Sequence, residues 1–221
     1  MDTSPSLPSD QANSSTNWLW WHGYLDKGKK HGAEERFASE ALALAINADP
    51  SPFFRAISQV CLDLPAQPGL PIALRLSRLA SLRDATEVRA STEYPVGTFA
   101  HGEGSIDIRL AASQPSGPIE LWIEVKVGAP ISGKQLFTYA NARHHLRRTR
   151  PLFLVIAREH PCRGHDRTSA RQNHEATRRL TLPCLEWSRL AKSIAEHEHP
   201  SIWEELRRYI ESDILRQPEG W

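Results

Sequence analysis

Cysteine, methionine and long apolar runs are scarce in this sequence. The three cysteines, Cys61, Cys162 and Cys184, are odd in number and far apart, which argues against a disulfide framework and fits a reducing compartment. The longest apolar run, PLFLVIA at 151–157, falls well short of the roughly 20 residues that cross a bilayer. No basic stretch followed by an apolar one opens the chain, so no secretory leader is read there. The expectation from these absences is a soluble cytoplasmic protein with no membrane partner.

A length of 221 residues with 40% apolar content suits one substantial core. Residues 1–17, MDTSPSLPSDQANSSTN, have no apolar period and cannot offset the entropy of ordering, so they read as a disordered tail ahead of a single domain at 18–221. The net charge of +1 conceals a segregation. Residues 143–179 hold ten Arg against three acids and five of the ten His, which leaves the rest of the chain at −6. Such an excess on one segment suggests a polyanionic partner, the plainer reading being a solvated Arg-rich surface.

Residues 18–31, WLWWHGYLDKGKKH, cluster aromatics that would dock the N-terminus. From Glu34 to Ala48 the pattern is helical, with Phe37, Ala41, Leu44, Ala45 and Ala48 on one stripe and Glu35, Ser39, Leu42 and Ile46 beside it. A second helix is predicted from Pro52 to about Leu62, and IALRLSRLASL at 72–82, which fits either a helix or a strand, is read as a third helix. The period then becomes two. Thr86, Val88, Ala90, Thr92, Tyr94 and Val96 share one strand face; Ile106, Ile108 and Leu110 share another, opposite Asp107 and Arg109. In IELWIEVKV, Leu121, Ile123, Val125 and Val127 point one way and Trp122, Glu124 and Lys126 the other. A helical stretch at 134–147, a buried strand at 151–157, a long Arg-rich connection, a short strand near 180–185 and helices at about 187–196 and 201–216 complete the chain. This order predicts an α/β sandwich with a mixed central sheet, in which the strand at 151–157 runs parallel to its predecessor. His160, Cys162, His165, His174 and Cys184 match no familiar zinc-finger spacing.

The two middle strands form a hairpin whose register follows from the loop. A turn centred between Pro115 and Ser116 opposes residues whose numbers sum to 231, and Asp107 and Glu124 are such a pair. Facing carboxylates repel, so the arrangement calls for a cation or for protonation of one acid. Carboxylate oxygens suit Mg²⁺, which takes one or two of them and keeps several waters. Lys126 projects from the same face. Two acids, a divalent metal and an ammonium are the parts needed to hydrolyse a phosphodiester; an amphipathic hairpin with a wet face is the alternative.

The run Gly104-Ser-Ile-Asp107, followed after a gap by Ile123-Glu124-Val125-Lys126, resembles the D…(D/E)xK core of the PD-(D/E)XK nuclease superfamily. Gln135-Leu-Phe-Thr-Tyr139 resembles the QxxxY element of some branches, Glu35-Arg-Phe-Ala-Ser-Glu-Ala-Leu42 the helix that contributes a glutamate, and Leu185-Glu-Trp187 a segment of related members. The likeness spans roughly residues 34–196, with Ile106 in place of the name-giving proline. It implies a restriction-endonuclease-like three-layer sandwich and a Mg²⁺-dependent nuclease, Mn²⁺ serving as a substitute, that cleaves DNA in bacterial defence or DNA processing. It further implies Asp107, Glu124 and the Val125 carbonyl as metal ligands and Lys126 as catalytic base or electrostatic stabiliser. Glu35 would hold a water of the metal's shell, and Gln135 and Tyr139 would orient phosphate or support Lys126. Arg143, Arg147, Arg148, Arg150, Arg163 and Arg167 are the expected nucleic-acid contacts. A homo-oligomer is compatible with this reading, and a catalytically inactive binding or scaffold module of the same fold is its alternative.

Overall fold

The computed structural model describes residues 31–63, 81–99, 102–115, 117–128, 135, 139, 142, 151–158, 184–198 and 200–216. Two helices come first, α1 (His31–Ala48) and α2 (Ser51–Asp63), then a 3₁₀ turn at Ser81–Asp84. Strands β1 (Thr86–Phe99), β2 (Gly102–Ser113), β3 (Ile119–Val125), β4 (Leu152–Ala157) and β5 (Cys184–Glu186) follow, and helices α3 (Trp187–Ala195) and α4 (Ser201–Tyr209) close the described part, α4 running into a π turn at Ile210–Ile214. The strands make one mixed sheet in the order β1-β2-β3-β4-β5. Pairs β1·β2 and β2·β3 are antiparallel, whereas β3·β4 and β4·β5 are parallel, so the chain is α/β as its pattern predicts.

Local chemistry sets the boundaries of the first two helices. Pro50 cannot continue α1, and Asp49 Oδ1 accepts the Ser51 N–H at 2.9 Å, satisfying one of the donors left open at the start of α2. The Trp203 indole N–H donates to the Asp49 carbonyl at 2.8 Å and ties α4 to this corner. The hairpin between β2 and β3 turns at Gly117, whose φ of 114° suits a residue without a side chain. Its N–H donates to the Gln114 carbonyl at 2.9 Å, and Gln114 Nε2 donates to the Ser81 carbonyl at 2.7 Å.

Strand β3 is the centre of the sheet and is buried along both faces, the condition expected of a strand covered on both sides. Leu121, Ile123 and Val125, with Leu152, Leu154 and Ile156 of β4, belong to a core shared with all four helices. Trp122, Phe153, Val155 and Ala157 belong to a second core on the opposite face, which includes the helical residues Tyr139 and Ala142. Central position and double burial make β3 the rigid base from which Glu124 and Lys126 project.

Two expectations need correction. Ile106 joins the second core while Ile108 and Leu110 join the first. At this level Glu93 has a left-handed φ of 50° and is left unpaired between Thr92↔Ile108 and Tyr94↔Ile106. Strict alternation therefore does not carry across Asp107. In α1, Leu44 is 54% exposed, because the buried arc centres on Ala38, Leu42 and Ala45 and leaves Leu44 just outside. Of the helix predicted at 72–82, residues 72–80 lie outside the described residues, and Ser81 and Leu82 form the 3₁₀ turn. The aromatic cluster at 18–31, apart from His31, and the His160 to His174 group also lie outside them.

Candidate active site

Strands β2 and β3 pair in the register predicted from the loop, Ile108↔Ile123 through Ala112↔Ile119. The ladder then stops, although both strands continue: β2 stays with β1, and β3 stays with β4 through Glu124↔Val155 and Val125↔Ile156. Asp107 and Glu124 are the next pair in that register, so they sit where the strands part rather than opposing each other within the ladder. The opening leaves the Val125 N–H without a strand partner on β2. The Asp107 carboxylate takes it instead, Oδ2 accepting at 2.7 Å.

Glu124 is fully buried, and three groups satisfy its carboxylate. Gln135 Nε2 donates to Oε1 at 3.0 Å, Lys126 Nζ lies 2.9 Å from the same oxygen, and the Tyr139 hydroxyl donates to Oε2 at 2.7 Å. The Tyr139 hydroxyl also lies 3.1 Å from the Ser105 carbonyl. Gln135 and Tyr139 thus hold Glu124, whereas the resemblance gave them phosphate or Lys126. Lys126, itself 7% exposed, reaches Glu35 Oε2 of α1 at 3.1 Å and so bridges the first helix to the sheet. Its backbone is fixed at both ends: its N–H donates to the Ile156 carbonyl at 2.8 Å, and its carbonyl accepts the Trp187 indole N–H at 3.0 Å.

The electrostatics are those of an acidic, desolvated site. Burial first, and then the negative charge of Glu124, pushes the Asp107 carboxyl up to about 7, against the lowering effect of the Val125 N–H and Lys126. Burial also raises Glu124 despite Lys126 and Tyr139. For Lys126, burial alone would lower the ammonium, but Glu124, Glu35 and Asp107 outweigh it and keep the group charged above its ordinary range. Tyr139 is pushed up by burial and by the adjoining Glu124 carboxylate, so its hydroxyl remains a proton donor.

Among the described residues, no group of three or more His, Cys, Asp or Glu side chains is arranged to hold a metal ion. Glu35, the third acid, spends Oε2 on Lys126. The chemistry of the donor set nevertheless fits a hard divalent cation that takes two carboxylates and keeps several waters. Among the described residues no hydrogen bond reaches Asp107 Oδ1, Glu35 Oε1 is buried without a partner, and three carboxylates face one ammonium. Excess negative charge out of water is costly until a cation compensates it.

No protein-family model, curated protein or solved structure matches this chain. The case for its chemistry rests on the residues themselves. The structure brings together Glu35, Asp107, Glu124, Lys126, Gln135 and Tyr139, drawn from α1, β2, β3 and the helical residues between β3 and β4. Arg143, Arg147, Arg148, Arg150, Arg163 and Arg167 lie outside the described residues. Sequence reasoning did not assign Trp187 to the site; a tryptophan at the start of a helix reads as core, and only its partner, the Lys126 carbonyl, distinguishes it. No described helix is long and apolar enough to cross a membrane.

Proposed function

We propose that this chain is a metal-dependent nuclease of the PD-(D/E)XK superfamily, with the restriction-endonuclease-like three-layer sandwich and DNA as its substrate. One observation carries the reading. Asp107 and Glu124 meet where β2 and β3 part, and the ammonium of Lys126, two residues further on, is held between Glu124 and Glu35. Two carboxylates and a fixed ammonium beside a break in a sheet have little structural purpose, since a buried ion cluster seldom stabilises a fold more than apolar packing would.

Asp107, Glu124 and the Val125 carbonyl are the groups that would hold Mg²⁺ or Mn²⁺. Such an ion, when bound, acidifies water and offsets charge on the scissile phosphate. Hydrolysis joins a water oxygen to phosphorus and breaks a P–O ester bond, and negative charge grows on the phosphoryl oxygens. Lys126 is an ammonium in this site, which suits it to stabilising that charge rather than to removing a proton. Glu35 and Glu124 aim the ammonium, while Gln135 and Tyr139 fix the Glu124 carboxylate. Prearranged groups of this kind cost no reorganisation when the charge develops.

A quenched-fluorophore panel of duplex DNA, single-stranded DNA and RNA tests the substrate. Purified protein with Mg²⁺ should release fluorescence from DNA, and EDTA should stop it. Metal-dependent binding without cleavage of any member would instead favour an inactive binding module of the same fold.

A further inference from the structure

The geometry points to Trp187 as the positioning residue for Lys126, acting through the Lys126 backbone carbonyl. The inference rests on the nuclease reading for its catalytic consequence but not for its geometry. Strand β3 ends at Val125, so the peptide that follows Lys126 has no ladder to fix it. Its surroundings are dry: Lys126 and Val127 are both buried, and Gly128 is the first exposed residue after them. A buried carbonyl needs a donor, and the Trp187 indole N–H, on a ring with no exposure, supplies one at 3.0 Å.

This bond helps to hold the Lys126 backbone from which the ammonium is aimed. Glu124 and Lys126 sit on one side of β3, while Val125 and Val127 pack into the core on the other. Loss of this anchor would free the Lys126 backbone to shift, and with it the Cα from which the ammonium reaches Glu124 and Glu35. The Ile156 carbonyl holds the Lys126 N–H and Trp187 holds its carbonyl, so the residue is clamped on both sides of its Cα. Trp187 is itself well anchored. It starts α3 directly after β5, whose pairing with β4 includes Ala157↔Glu186, and its ring lies in the main core. One rigid unit, β4 with β5 and the start of α3, therefore supplies both clamps.

The test uses two variants of the full chain: Trp187→Phe, which keeps an aromatic ring without the N–H, and a chain carrying benzothienylalanine at 187, an isostere of Trp with sulfur in place of N–H. Mg²⁺-dependent cleavage by each should lose about tenfold or more in kcat with KM within twofold of wild type, because the ammonium is displaced while the substrate surface is not. The benzothienylalanine chain keeps the packing, so a fall in kcat there comes from the lost hydrogen bond and not from a cavity. A second readout needs no activity. The Lys126 Cε and Nζ resonances of metal-free protein, assigned with Lys126→Ala, should move towards those of a solvated lysine in the benzothienylalanine chain. Wild-type kcat, or unmoved Lys126 resonances, in that chain would overturn the assignment. If wild-type protein cleaves nothing, the nuclease reading fails and the resonances alone decide the role of Trp187.

Discussion

Asp107 Oδ2 accepts the Val125 N–H at 2.7 Å, across the opening where β2 and β3 cease to pair. One bond thereby replaces a ladder contact with a side chain and, among the described residues, leaves the other carboxylate oxygen without a hydrogen bond, beside buried Glu124. The expected cost of ionising Asp107 in that position leads to the first prediction.

The folded Asp107 carboxyl titrates at about 7, against roughly 3.9 for an unfolded aspartate. A raised carboxyl contributes its full share of stability below the unfolded value, and the share is lost as pH rises through the folded value. Metal-free protein should therefore lose stability between about pH 4 and pH 7 through this group. Asp107→Asn keeps an oxygen for the Val125 N–H and removes the charge, so at pH 8 in EDTA it should melt higher than wild type. Added Mg²⁺ should raise the wild-type Tm at pH 8 and leave the variant unchanged. Scanning calorimetry across pH checks both statements; equal wild-type and variant curves at pH 8 would contradict them.

Tyr139→Phe removes the hydroxyl from Glu124 while leaving the ring against Phe153, whose centroid is 5.3 Å away. A hydrogen bond to a charged group contributes about 1.5–3 kcal/mol, and urea melts at neutral pH should show a loss of that order. Cleavage should fall as well, since Glu124 loses one of the groups that orient it. An unchanged denaturation midpoint would mean that the hydroxyl bears no such bond.

Lys126→Met leaves Glu124 buried and short of its cation, a situation that costs about 3–5 kcal/mol. The double variant Glu124→Gln with Lys126→Met removes both charges and should recover part of that loss. A double-mutant cycle in urea reads the coupling. Strict additivity of the two single changes would mean that the pair does not interact.

Much of this architecture is legible in the residues. The hairpin register follows from loop symmetry and period-two alternation, and five ladder pairs conform to it. The parallel placement of β4 follows from the helical stretch ahead of it, because a crossover is needed to reverse direction twice. The end of the β2·β3 ladder at Asp107 is not legible, since the alternation of both strands runs on past it and does not say where pairing stops. The partners of Gln135 and Tyr139 were not legible either. Helical spacing puts the two side chains on one face but does not say which charge that face meets, and it is Glu124. Trp187 was hidden for a related reason, its partner being a backbone carbonyl.

The Arg-rich stretch at 143–179 should carry the nucleic-acid backbone. Each phosphate neutralised on duplex DNA contributes about −0.9 to the log-log salt slope, so replacing Arg147, Arg148 and Arg163 by Glu should flatten the slope by roughly 2.7. Affinity should fall alike for unrelated sequences, because phosphate contacts position without reading bases. Fluorescence anisotropy at several salt concentrations measures both. An unchanged slope and affinity would make the stretch a solvated surface.

Hydrolysis at Asp107, Glu124 and Lys126 is read out by plasmid nicking. Wild type, Asp107→Asn, Glu124→Gln and Lys126→Ala, purified identically and shown to be folded by circular dichroism, are incubated with supercoiled plasmid in Mg²⁺ and in EDTA. Wild type alone should convert supercoiled plasmid to open-circular or linear forms, and only with Mg²⁺. Conversion by Glu124→Gln or Lys126→Ala at the wild-type rate would contradict it, as would wild-type protein that leaves the plasmid intact in both Mg²⁺ and Mn²⁺.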